Sequence, residues 1–222
     1  PADADLVVAD NASTDDSTDF VSNNFPTVKL IRLEKNFGFA AGYNEVIRQI
    51  DSKFIVLINQ DVEVTENWLP PLVKMMEQDE NIAAIQPRIR AFSKKNHFEY
   101  AGAAGGWMDH YGYTFCRGRI FDSIEEDKDQ YNTSAEIFWA SGACMLVRKT
   151  IYEKLGGLDA DFFAHMEEID LCWRMKNEGY KIMYCPDSIV YHLGGASLPQ
   201  GHPMKTYLNY RNNLIMLEKN LP

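Results

Sequence analysis

The sequence predicts an α/β fold: a mostly parallel sheet with helices on both faces. Three observations carry that reading. Over the first ninety residues, segments with strand and helix patterns alternate β, α, β, α, β, α, β, an order that favours parallel pairing through crossover helices. Phe54 to Ile58 is an unbroken apolar run, as suits a strand covered on both faces. That run stops at Asn59-Gln60-Asp61, which puts polar atoms just past the C-terminal end of a strand, where open α/β sheets bind ligands.

The elements follow in order. Leu6 to Ala9 reads as a short buried strand with Asp10-Asn11 at its end. Ser13 or Thr14 can cap a helix that opens with Asp15-Asp16. Val28 to Leu33 is the next strand, and Ala40 to Ile50 is an amphipathic helix behind the glycines Gly38 and Gly42. Trp68 to Gln78 is a helix with Pro70 and Pro71 in its first turn. Ile82 to Ile85 is a strand. Residues 91–135 hold no period and read as loops and short strands over one edge of the sheet, with the acidic run Glu125 to Asp129 among them. Ile137 to Val147 is a strand whose central Gly142 marks a close approach of a ligand or another backbone. Met166 to Glu178 is a helix ended by Gly179. Lys181 to Tyr184 and Ile189 to Tyr191 are short strands followed by His192-Leu193-Gly194-Gly195, and Tyr207 to Leu217 is a closing amphipathic helix.

A chain of 222 residues with 45% hydrophobic composition fits one large domain. We expect a nucleotide-binding half over 1–90 and an acceptor-side half over 91–222. The formal net charge is −10 and there is no basic stripe, which argues against nucleic-acid binding by phosphate neutralisation. An acidic protein can still bind a nucleotide diphosphate if a divalent cation bridges the anions. Cys116, Cys144, Cys172 and Cys185 show no CxxC spacing, which favours reduced thiols and a cytosolic setting. The chain opens on Pro1 and closes on Leu221-Pro222 directly after a helical pattern, so a fragment of a longer protein is expected. No GxxxxGK[ST] or GxGxxG occurs, which disfavours P-loop ATPases and dinucleotide dehydrogenases.

Three groups of residues can carry chemistry. Asp10, Asn11, Asn36, Gly38, Asn59 and Asp61 gather at the ends of three consecutive predicted strands, where carboxylates and amides can read a nucleobase edge and ribose hydroxyls. Asp61 offers a hard oxygen of the kind Mg²⁺ or Mn²⁺ accepts; a polar turn with no ligand would look the same. Glu167, Glu168 and Asp170 crowd the start of a helix. They either complement the helix dipole or raise one another's pKa into the range of a general base. His192 is a metal ligand if it lies near Asp61, and a structural histidine otherwise.

Several ordered motifs combine these residues. They are Asp10-Asn11-Ala12-Ser13-Thr14-Asp15, Asn36-Phe37-Gly38-Phe39-Ala40-Ala41-Gly42, Asn59-Gln60-Asp61, Ser141-Gly142-Ala143-Cys144-Met145-Leu146-Val147-Arg148, Gly156-Gly157-Leu158-Asp159 and Glu167-Glu168-Ile169-Asp170-Leu171-Cys172-Trp173-Arg174. With Tyr191-His192 and Tyr210-Arg211-Asn212, the set resembles the family 2 glycosyltransferases, nearest to their bacterial rhamnosyltransferase-like branch, over almost the whole chain. The resemblance implies a GT-A fold and an inverting, metal-dependent sugar transfer from a UDP- or dTDP-linked donor to a saccharide or lipid-linked saccharide. It implies donor contacts from Asp10, Asn11, Ser13, Asn36, Gly38, Gly42, Asn59 and Gly142, and a Mn²⁺ or Mg²⁺ ion at Asp61 and His192. Glu168 would be the base, with Glu167 and Asp170 beside it as catalytic candidates, Asp170 facing away. Asn59 stands where the family's DxD-like triplet often has Asp, Glu168 stands where Asp is more usual, and Tyr43 stands where Asn is often found. The family's opening strand–helix unit is expected before Leu6, and association with the inner face of a membrane through a further C-terminal part is expected too. A nucleotidyltransferase on a related fold and a non-catalytic glycan-binding relative are the alternatives.

Overall fold

The computed structural model describes residues 4–194 and 202–221. Pro1, Gly195 and Pro222, which entered the sequence reading, lie outside the described residues. The chain forms β1 (Val7–Asp10), α1 (Ser17–Asn24), β2 (Lys29–Arg32), α2 (Gly38–Ile47), β3 (Phe54–Ile58), β4 (Val62–Val64), α3 (Leu69–Gln78) and β5 (Ile82–Ala91). There follow β6 (Gly106–Met108), β7 (Thr114–Cys116), β8 (Arg119–Ile120), β9 (Ser123–Ile124), β10 (Ala135–Ile137), β11 (Cys144–Arg148) and α4 (Lys149–Lys154). The last elements are α5 (Glu167–Asn177), β12 (Lys181–His192) and α6 (Pro203–Asn220).

The α/β layering is as the alternation implies, but the sheet is mixed rather than mostly parallel. The central sheet runs in the order β10-β12-β5-β11-β3, with β4 also paired to β12. β3, β5 and β12 point one way, while β11, β10 and β4 point the other. The reason is where each strand starts. The connection after β5 stays at the edge of the sheet where β5 ends, so a strand that re-enters from that edge has to run back. β4 does the same after the turn that ends β3. Among the described residues β1 and β2 pair only with each other. The three strand ends grouped from sequence therefore do not belong to one continuous hydrogen-bonded sheet.

The two faces are covered by different helices, as the period of 2 in β11 shows. Met145 and Val147 pack with Ala40 and Ile47 of α2, Tyr152 of α4, and Ile169, Leu171, Cys172 and Met175 of α5. Leu146, between them, packs with Leu72 and Met76 of α3. Burying a Leu or Met of this kind stabilises the fold by about 1.5–3 kcal/mol. All four cysteines are free and buried.

Several elements differ from the sequence reading. The strand placed over 137–147 splits into β10 and β11, with Gly142 in the turn before β11. The two short strands around Pro186-Asp187 are one strand, β12, bent by a register shift between Cys185 and Ile189. α1 starts at Ser17 and receives no side-chain cap from Ser13 or Thr14. The backbone N–H of Ser13 is instead tied to Asp10 Oδ1 at 3.0 Å.

Residues 91–135 are irregular, as expected, yet firmly tied down. Arg88 in β5 is 1% exposed. Its Nη1 meets Asp127 Oδ2 at 2.9 Å and Asp129 Oδ1 at 2.8 Å. Its Nη2 donates to Asn132 Oδ1 at 2.9 Å. Arg90 adds a 2.6 Å ion pair to Asp127, whose side chain is fully buried. Part of the acidic run thus clamps the loop to the sheet. Asp127→Ala leaves a buried guanidinium short of its partner and should destabilise the protein by about 3–5 kcal/mol in chemical denaturation. A loss below about 1 kcal/mol, the worth of an exposed pair, would show that the clamp contributes little.

Candidate active site

The site is built where strands end. The turn after β3 carries Asn59, Gln60 and Asp61, and β4 then pairs with the end of β12 so that Val62 lies opposite His192. That register brings His192 Nε2 to 3.3 Å from Asp61 Oδ1, with each side chain only 12% exposed. The backbone N–H of Leu193 also donates to the Asp61 carbonyl at 3.0 Å. On the other side of the ring, Nδ1 faces Glu99 Oε1 at 3.4 Å and makes no aligned hydrogen bond. Burial opposes charge on His192, but Glu99 and Asp61 outweigh it and hold the imidazole above its ordinary pKa. Among the described residues no group of three or more His, Cys, Asp or Glu side chains could hold a metal ion unaided. A carboxylate oxygen and an imidazole nitrogen side by side fit a divalent cation that takes its remaining ligands from substrate phosphates and water.

The second part of the site sits on the N-terminus of α5. Three of the four residues before that helix are left-handed: Phe163 (φ 62°), His165 (φ 70°) and Met166 (φ 72°). Such backbone costs of order 1–3 kcal/mol per residue and needs support from outside. α6 supplies it. Asn212 Nδ2 is within hydrogen-bond distance of the carbonyls of Phe162 (3.0 Å), Ala164 (2.9 Å) and His165 (2.6 Å). Arg211 Nη2 donates to the carbonyls of Asp161 and Phe162. The Phe163 carbonyl also accepts from Phe39 N at 2.9 Å, so the loop rests on the start of α2. Held this way, Glu167 is buried and Glu168 partly accessible. Each has one carboxylate oxygen, Oε2, with no hydrogen-bond partner. Burial and the neighbouring Glu168 push Glu167 well above the usual carboxylate range. Burial also raises Glu168, against the backbone N–H groups that hold it, Gly142 among them.

Gly142 joins the two parts. A Cβ there would lie 3.7 Å from the Glu168 side chain, and the adjacent Ala143 carbonyl accepts from Asn59 N at 3.0 Å. That is ordinary van der Waals contact, so the close approach expected at this glycine from sequence is not found. Asp170 lies apart from this arrangement. It is fully buried, and its carboxylate is shared among Arg174 Nε at 2.8 Å, Lys219 Nζ at 3.0 Å and Asn220 Nδ2 at 2.9 Å. It braces α5 against α6 and has no free valence for catalysis.

The residues expected on the donor side cluster, mostly with one another. Asn11 Nδ2 meets Asn36 Oδ1 at 3.1 Å and the Gly38 carbonyl at 2.9 Å, while its Oδ1 accepts from Phe37 N. Asn36 Oδ1 accepts from Gly38 N at 2.8 Å. A Cβ at Gly42 would sit 3.1 Å from Asn11 Nδ2, and one at Gly38 (φ +79°) would strike the Phe163 ring at 2.5 Å. Asn11, Gly38 and Gly42 therefore lock β1 and the 163–166 loop to the start of α2. Tyr43 donates to the Ile58 carbonyl at 2.9 Å, steadying the end of β3. Glu99, Asn212 and His165, whose buried Nε2 has no partner, were not singled out from sequence as site residues. Glu99 sits in no charge or spacing pattern and only the fold brings it in, whereas Asn212 belongs to the Tyr210-Arg211-Asn212 motif.

The class of protein follows from these features together with the comparisons. The profile described as Glycosyl transferase family 2 matches residues 1–156, and the chain belongs to that family. It is similar to the N-acetylglucosaminyl-diphospho-decaprenol L-rhamnosyltransferase of Mycobacterium tuberculosis, with 24% identity over 84% of this chain and 66% of the relative. It is also similar to the dTDP-rhamnosyl transferase RfbF of Shigella flexneri, at 23% identity over 97% of this chain and 71% of that one. The first of these relatives is thus spanned over just under two thirds of its length. Among solved structures, GalNAc-T7 with UDP, GalNAc and Mn²⁺ superposes with a TM-score of 0.68 at 15% identity, over 97% of this chain and 41% of that one. The mannosyltransferase PcManGT from Pyrobaculum calidifontis, in complex with GDP-Man and Mn²⁺, gives 0.63 at 16% identity, over 97% and 54%. The fold is that of these glycosyltransferases.

The carboxyls of Glu167 and Glu168 make stability depend on pH. Their folded pKa values lie above the unfolded value of about 4.3. Between those values the native state keeps protons that the unfolded chain has released, so stability falls as pH rises through the window and stays lowered above it. Glu167→Gln removes its share of that penalty. Its melting temperature should exceed that of the wild type near pH 8 and match it near pH 4. Equal melting temperatures at both would show that Glu167 imposes no such penalty.

Proposed function

We propose that this chain is the catalytic unit of an inverting glycosyltransferase that moves a sugar from a UDP- or dTDP-linked donor to a hydroxyl of a saccharide or lipid-linked saccharide. The observation that carries the reading is the pairing of Asp61 with His192 at 3.3 Å, on a turn joined through Ala143 and Gly142 to the raised-pKa carboxylate of Glu168. The rhamnosyltransferase relatives and the nucleotide-bound, Mn²⁺-bound structural neighbours support the donor and acceptor classes.

Asp61 and His192 would hold Mn²⁺ or Mg²⁺, which when bound neutralises charge on the donor diphosphate and its leaving group. Asp10 and Asn36 stand at the donor side, with Asn11 and Ser13 shaping the turn around them. Glu168 takes the acceptor hydroxyl proton as the oxygen forms its bond to the anomeric carbon. The bond from that carbon to the diphosphate breaks on the opposite face, and its electron pair leaves on the diphosphate oxygen. A carboxyl with a raised pKa is a stronger base when ionised, which suits the task. Glu167, buried beside it, stays protonated over a wider pH range and keeps the local negative charge down. Residues 1–90 and 91–222 would serve donor and acceptor respectively, at the cytoplasmic face of a membrane.

Glu168→Gln keeps the shape and removes the proton acceptor. It should lower transfer by about 10²–10⁴-fold while Mn²⁺-dependent donor binding persists. Asp61→Ala should abolish that binding without unfolding the domain. Transfer rates, donor titrations and melting curves on both variants decide the matter. A Glu168→Gln protein that turns over like wild type, or Mn²⁺-dependent binding that survives in Asp61→Ala, would overturn the assignment.

A further inference from the structure

We propose that Glu99 is a positioning residue that sets the tautomer of His192 and so makes His192 Nε2 available to the divalent cation. The inference rests on the reading of Asp61 and His192 as the cation site. Glu99 is 7% exposed and held at both ends. Its backbone N–H donates to the Ile89 carbonyl at 3.1 Å. Its Oε2 accepts from the Ala101 N–H at 2.6 Å. What remains is Oε1, which faces His192 Nδ1 at 3.4 Å. No other polar group is aligned with that buried nitrogen. Gly194 keeps the contact open. Its φ is +70°, and a Cβ there would lie 3.3 Å from Glu99 Oε1 and 3.9 Å from His192 Nδ1.

An ionised carboxylate only accepts hydrogen bonds, and His192 lies between two of them; when a cation takes Nε2 on the Asp61 side, the hydrogen is left on Nδ1, beside Glu99. That tautomer gives Nε2 a lone pair, and that nitrogen faces Asp61 Oδ1. Two electron-rich atoms at 3.3 Å repel unless a proton or a cation lies with them. A metal-bound histidine commonly donates its second N–H to a carboxylate, which fixes the ring and strengthens it as a ligand. Glu99 is placed for that role, about as far from Asp61 in sequence as from Gly142, and no motif announces it.

Glu99→Gln tests the point sharply. The Ala101 N–H still demands an acceptor, so the amide oxygen takes the place of Oε2 and the NH₂ turns toward His192. The ring must then accept at Nδ1 and carry its hydrogen on Nε2, where it blocks the metal. Two readouts are expected. Mn²⁺ affinity, from the EPR signal of free Mn²⁺ titrated with the purified protein, should fall about 10–100-fold. The ¹⁵N shifts of His192 in protein saturated with diamagnetic Mg²⁺ should show hydrogen on Nδ1 in wild type and on Nε2 in the variant. Wild-type protein with its hydrogen on Nε2 overturns the proposal whether or not the variant folds. So does a folded Glu99→Gln protein with wild-type Mn²⁺ affinity. Wild type that binds no Mn²⁺ would instead overturn the cation site itself, and the role of Glu99 with it.

Discussion

The insertion of β11 between β3 and β5 is the constraint on which the rest of the structure depends. Its register sets Cys144 opposite Ile58 and Leu146 opposite Ile85. A slip of one residue would carry Met145 and Val147 to the α3 face and Leu146 to the other, exchanging the two halves of the core. The same register delivers the 141–143 turn to the end of β3, where Asn59 bonds to it. Because β11 runs antiparallel to both neighbours, its N-terminal end meets their C-terminal ends. The backbone at Gly142 therefore lies at the edge of the sheet where β3 turns into Asp61, and Glu168 packs on it.

Charge is handled in two contrasting ways. Asp127 and Asp170 are buried and fully used: each is met by two cationic side chains, and Asp170 by an asparagine as well. They hold the 91–135 segment and α5 in place. Glu167, Glu168 and His192 are covered too, but each keeps a polar atom without a hydrogen-bond partner. An unpaired buried polar atom costs free energy. These atoms collect around one sheet edge, and the strained 163–166 backbone lies beside them. Substrate and cation would complete these atoms.

The support for that unsatisfied edge comes from far along the chain. α6 contributes nothing to the sheet, yet Arg211 and Asn212 hold five carbonyl contacts to residues 161–165 between them. α2 adds its first backbone N–H groups. A helix start with unfulfilled donors and a loop with outward carbonyls satisfy each other. That contact ties the Asn36–Gly38 side of the site to the Glu168 side.

Much of this was legible in the sequence, and the reason is local. The apolar run at Phe54–Ile58, its abrupt end at Asp61, the glycine stop of α5 and the prolines opening α3 act through nearest neighbours, so pattern alone reveals them. The acids at 167, 168 and 170 were legible as a group, but not their division of labour. Only packing shows that Asp170 is absorbed by Arg174, Lys219 and Asn220 while Glu168 meets Gly142. The direction of β11, the separation of the β1–β2 pair from the main sheet, the clamp on Asp127 and the approach of Glu99 to His192 were decided by tertiary structure. Each joins residues distant in sequence through strand register or burial. A linear pattern carries no record of which edge a strand re-enters, or of which buried partner waits there.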